Sequence, residues 1–144
     1  MGKDFENGSD GPDEEALSEL ASRLFDHARR GRSAELIAYL DAGVPVDLAN
    51  GTGDTFLMLA AYHGHPATVA ALLGRGADAD RLNDRGQSPL AGAVFKGEDE
   101  VVRLLVEAGA DPAAGTPPAI AAARMFGRED YLDLLGAAGG HDER

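Results

Sequence analysis

Two stretches in the middle of the chain carry apolar residues at helical intervals: Val69, Leu72 and Leu73 in the first, Val102, Leu105 and Val106 in the second. Steps of three and four residues bring these side chains onto one stripe of an α-helix and leave the positions between them to water. A shorter apolar segment precedes each stripe, at residues 55–63 and 88–96. Thr55 and Ser88 suit the cap of a first helix, Pro89 its first turn, and Gly64 and Gly97 its end. Pro66 opens a second helix, and Glu98, Asp99 and Glu100 cluster where the backbone dipole of the next one is positive. Gly74, Gly76 and Gly109 stop these second helices.

The two helix pairs are copies of one another. Residues 55–64 align with residues 88–97 at an offset of 33, and the same offset carries Val69 onto Val102, Leu72 onto Leu105 and the Gly-Ala-Asp of 76–78 onto that of 109–111 without a gap. A fixed period of this size marks a stacked array, in which each unit buries its apolar face only against its neighbours.

These residues resemble the ankyrin family, whose unit of about 33 residues holds a turn, two helices and a T-P-L-H-x-A signature. Thr55, Leu57 and Ala60 match that signature in one unit, and Ser88, Pro89, Leu90 and Ala93 match it in the next. The Gly-Ala-Asp endings look like the family's closing segment, and the resemblance is strong over residues 50–111. Outside that span, Gly31, Leu36, Leu40 and Gly43 trace one flanking unit, and Ile120, Ala123, Gly127, Leu132, Leu135 and Gly139 another. The resemblance implies an all-α solenoid of four helix-turn-helix units with short finger loops, at about 13–49, 50–82, 83–114 and 115–144. A longer first helix runs from about Asp13 to Arg30, and residues 1–12 read as a flexible acidic tail.

Two departures from the family pattern alter this expectation. From Asp78 to Ser88 is 10 steps but from Asp111 to the equivalent Pro118 only 7, so the last finger is three residues short and stiffened by Pro112, Pro117 and Pro118. The signature His is replaced by Met58, Ala91 and Ala121, so its hydrogen bonds are missing and stacking should lean more on aliphatic packing.

Composition narrows the function classes. The chain of 144 residues is 44% hydrophobic with only 3 Tyr and 5 Phe, so its core must be aliphatic and alanine-rich. A net charge of −12 repels phosphate backbones and argues against nucleic acid as ligand. The absence of cysteine excludes disulfides and thiol chemistry. The acidic start lacks a secretory profile and the longest apolar run, residues 56–62, cannot cross a bilayer, so a cytoplasmic location and no membrane contact are expected. Eleven Arg against two Lys, with abundant Ala, Gly and Asp, is a bias associated with high-GC bacterial genomes, and the segment 57–65 looks like that of small bacterial ankyrin proteins. No readable motif sets the oligomeric state; a monomer is slightly favoured.

No apparatus for catalysis is visible. His63 and His65, with His27 and His141 elsewhere, lack the ligand count and spacing of a metal site. Asp78, Asp80 and Asn83 miss the Gly and bidentate Glu of a calcium loop, and Gly51-Thr52-Gly53 lacks the third glycine of a dinucleotide loop. Nucleophile elbow, Walker and zinc-protease patterns are absent. No catalytic residue, metal or cofactor is therefore assigned, and the chain is read as a non-enzyme.

The resemblance implies recognition on a concave surface made by fingertips and the ends of first helices. Counting back from each helix-ending glycine gives Arg29 and Arg30, Tyr62 and His63, Phe95 and Lys96, and Met125 and Phe126; the fingertips add Gly51, Thr52, Asp54, Asp84, Arg85 and Gln87. These positions hold four basic and two acidic side chains in a strongly acidic chain. Tyr62, Phe95 and Phe126 beside cations suit a grip on a protein or peptide partner with acidic and apolar features. The same aromatics could instead pack onto the neighbouring unit. An alternative function is an acidic decoy that imitates nucleic acid, drawing on Asp4, Glu6, Asp10, Asp13, Glu14 and Glu15.

Overall fold

The computed structural model describes residues 14–139, so the segment 1–12 and His141 lie outside the described residues. Within them the helices are α1 Glu14–Arg30, α2 Ser33–Asp41, α3 Phe56–Tyr62, α4 Pro66–Gly74, α5 Pro89–Lys96, α6 Asp99–Glu107, α7 Ala119–Met125 and α8 Glu129–Gly139. The extended pairing among these residues is a single bridge, Ala49 with Thr55, at the base of a finger.

Each odd-numbered helix packs on the even-numbered helix that follows it, and the pairs stack into two rows. The inner row runs α1, α3, α5, α7 and the outer row α2, α4, α6, α8, with contacts between neighbours along both. The expected caps are made: Thr55 Oγ1 accepts from Met58 N at 3.2 Å and Ser88 Oγ from Ala91 N at 3.0 Å.

The period of 33 is a period of burial. Leu57 and Leu90, Ala60 and Ala93, Val69 and Val102, and Leu72 and Leu105 are all 0% exposed. The same columns continue to Leu24 and Leu36 in the first pair and to Ala123 and Leu135 in the last, which makes one continuous core. Each buried Leu or Val adds about 1.5–3 kcal/mol of transfer free energy, and the alanines let the inner helices approach closely.

The end pairs differ as a solenoid requires, since one face of each meets water. Arg23 takes the place of Phe56 in α1, and Arg124 that of Val94 in α7; both are exposed, whereas Phe56 and Val94 are buried.

Met58 and Ala91, in the place of the missing His, are buried among apolar neighbours, but hydrogen bonds between units are not lost with that His. Units are joined by hydrogen bonds in the loops: Asp47 Oδ1 accepts from Asp78 N at 3.0 Å and Asp80 Oδ1 from Asp111 N at 2.7 Å. Thr52 O accepts from Asp84 N at 3.0 Å and Gly86 O from Thr116 N at 2.8 Å. On the outer row Arg75 pairs with Asp41 at 2.9 Å, and Arg128 bridges Asp99 and Asp130.

Candidate protein-binding surface

The fingers owe their shape to two asparagines. Asn50 Oδ1 accepts from Thr52 N at 3.0 Å and Asp54 N at 2.9 Å, and one period later Asn83 Oδ1 accepts from Arg85 N at 2.9 Å and Gln87 N at 3.0 Å. A side chain bonded to its own backbone two and four residues on holds a tight turn. Asn83 also donates from Nδ2 to Asp54 Oδ1 at 2.8 Å and Gln87 Oε1 at 2.7 Å, so it ties one finger to the next while only 6% exposed. Gly53 follows at φ +81°, where a Cβ would lie 2.5 Å from Asp84 Oδ1; that close approach is what lets adjacent fingertips touch.

Between these fingers and the inner helices lies a cleft of about 400 Å³. Met58, Leu59 and Tyr62 of α3 with His63 at its C-cap form one wall, Pro89, Gly92 and Phe95 of α5 the other, and Asp54, Arg85 and Gln87 the finger rim. Pro117 and Ala122 close the far side. Tyr62 Cδ1 is 3.6 Å from where a Cβ on Gly92 would sit, so the glycine leaves the floor open beside the tyrosine ring.

Six of the residues expected from the sequence, Asp54, Tyr62, His63, Arg85, Gln87 and Phe95, meet at this cleft. Lys96 joins them indirectly, with its Nζ 4.5 Å above the Tyr62 ring. Phe126 lies edge-on to Phe95 at 5.4 Å, and Met125 beside it is 69% exposed, so the apolar row continues onto α7. Phe95 and Phe126 stay 57% and 47% exposed while touching each other, so packing against the neighbouring unit covers only about half of each.

The other expected residues lie elsewhere. Arg29 and Arg30 both reach Asp26 on their own helix at 3.6 Å. Gly51 lines a separate recess of about 300 Å³ under the first finger, with Phe25 and Leu48. Thr52 and Asp84 are joined through the backbone bond between fingertips. Met58, Leu59, Ala91, Gly92, Pro117 and Ala122 line the cleft without having been expected to. The column Leu59, Gly92, Ala122 carries the signal that could have found them, because its side chains change while its neighbours at Ala60, Ala93 and Ala123 do not.

Charges of both signs meet at α3's end, where the Glu98 carboxylate lies against Gly64 and the Lys96 ammonium over the Tyr62 ring. Partial burial, reinforced by the charges of Lys96, His65 and Arg29, lowers the His63 pKa below its usual value. His65 is turned away, with Nε2 2.7 Å from the carbonyl of Arg29. Among the described residues no three His, Asp or Glu side chains are grouped to hold a metal ion, and no helix is long and apolar enough to cross a membrane.

The sequence model described as ankyrin repeats (3 copies) matches residues 24–116, and the chain belongs to the ankyrin-repeat family. Such repeats are generally protein–protein interaction modules and typically not enzymes. Among curated proteins, the ankyrin repeat protein PA3287 of Pseudomonas aeruginosa is 51% identical over 47 residues, which is 33% of this chain and 28% of that protein. The match thus spans under a third of the relative's length.

Proposed function

We propose that the protein binds one cytoplasmic protein partner along the finger and inner-helix surface, as an adaptor, inhibitor or stabiliser, and catalyses no reaction. The observation that carries this reading is the exposed row Tyr62, Phe95, Met125 and Phe126 beside a mostly apolar cleft. Aromatic side chains held by a rigid helix contribute large contact area at small ordering cost, and such residues dominate interface hot spots. A contiguous apolar patch left open on a folded domain marks an interaction surface. The alternative decoy reading draws on Asp4, Glu6, Asp10 and Asp13, which lie outside the described residues, and on Glu14 and Glu15 in the first turn of α1.

Affinity capture from a bacterial lysate with the wild-type chain, repeated with a Tyr62→Ala/Phe95→Ala variant, tests the proposal. A partner retained by the first and released by the second is expected. A partner held equally by both places recognition on another face.

A further inference from the structure

The cleft carries information about the chemistry of what enters it. Its walls are apolar at Met58, Leu59, Phe95 and Ala122, and its floor is opened at Gly92, where the equivalent residues of the neighbouring units carry a side chain. A space of about 400 Å³ exceeds a packing defect and accommodates one or two bulky side chains. Two cations flank it, Arg85 on the finger and Lys96 over the Tyr62 ring, and neither is ion-paired among the described residues. The acid on the same rim, Asp54, is bound to Asn83 Nδ2 through Oδ1 and to Thr52 Oγ1 through Oδ2.

In a chain of net charge −12 this arrangement is selective. At physiological salt the screening length is about 8 Å, so a ligand seated in the cleft feels Arg85 and Lys96, together with the nearby carboxylates of Asp84 and Glu98, more than the acidic surface further off. Charges placed around an apolar anchor site fix register and exclude wrong partners more than they add affinity.

Resting on the proposed concave-surface reading, we propose that the cleft receives the bulky apolar side chain of an extended acidic segment of a partner protein. Carboxylates on either side of that anchor pair with Arg85 and Lys96.

The test pans a random-peptide library on the immobilised full chain, then measures synthetic binders by fluorescence anisotropy. Enriched peptides should hold an aromatic or leucine residue flanked by Asp or Glu. Their affinity should fall at least about tenfold when the anchor becomes Ala, when Phe95→Ala opens the wall, and when Arg85→Glu/Lys96→Glu reverses the rim. Peptides that need Tyr62 and Phe95 but are neutral or basic overturn the acidic anchor and leave the concave-surface reading standing. Binders indifferent to Tyr62 and Phe95, or no binder at all, overturn both. Concentration-dependent dimerisation abolished by Phe95→Ala makes a second copy of the chain the occupant and also overturns the inference.

Discussion

Replacing Gly92 with alanine should make the protein more stable and a poorer binder. Gly92 sits inside α5, and its amide donates to Ser88 O at 3.1 Å. Glycine in a helix interior costs about 0.5–1 kcal/mol relative to alanine, because the unfolded chain has more freedom to lose. The added Cβ meets only Tyr62 Cδ1, at 3.6 Å, which is ordinary contact and not a clash. The expected gain is therefore about 0.5–1 kcal/mol, read as a rise in Tm of about 2–5 °C for a domain of this size. The same methyl intrudes on the cleft floor, so peptide affinity should fall as stability rises. Thermal and urea unfolding followed by circular dichroism give the first quantity, and anisotropy the second. An unchanged or lowered Tm would refute the reasoning, since it would mean that α5 is strained at Gly92 or that the Tyr62 ring cannot accept the contact.

Three further substitutions probe the fingers that frame the cleft and the stacking of the outer row. Gly53→Ala should destabilise by at least about 1–2 kcal/mol, because φ is +81° and the new Cβ would lie 2.8 Å from the Asp84 amide nitrogen; urea midpoints report it. Asn83→Ala removes two donated and two accepted bonds from a nearly buried side chain and should cost about 2–4 kcal/mol, with amide exchange accelerating in both fingers. Tyr131 is 1% exposed and donates to Asp99, and burial with that bond raises its pKa from 10 to about 12. A raised pKa favours the neutral phenol in the fold, so this stability is complete below pH 10 and lost as pH climbs towards 12. The bond from Tyr131, then that from Arg128, lowers the Asp99 pKa from 3.8, so its contribution holds above that pH and fades as pH falls below it. Phenolate absorbance should show one late-titrating tyrosine that disappears in Tyr131→Phe.

The fold was legible because a solenoid repeats its own evidence. An offset of 33 that aligns Leu57 with Leu90 and Val69 with Val102 picks out core positions directly, and these four side chains are 0% exposed. Caps at Thr55 and Ser88 were equally local. The cleft was legible only at its finger rim and at the ends of its two helices. Tyr62, Phe95 and Arg85 were found by counting back from glycines or out along fingers, whereas Met58, Leu59 and Gly92 belong to helix faces whose direction depends on how α3 meets α5. Asn50 does not stand out in the sequence and Asn83 is weighed there only as a calcium-loop position, although the two stand one period apart, because a fingertip is read for its contacts and not for what folds it. Tyr131 went unnoticed for a related reason: its partner Asp99 lies 32 residues away and meets it only when the last two units stack.

The aromatic row is either a binding surface or misplaced packing. Measuring thermal stability and partner affinity together for Tyr62→Ala and Phe95→Ala decides it. Side chains 40% and 57% exposed should lose no more than about 1 kcal/mol of stability while affinity falls at least about tenfold. A loss of about 3–5 kcal/mol, the cost of truncating a buried aromatic, with binding per folded molecule unchanged, would contradict it.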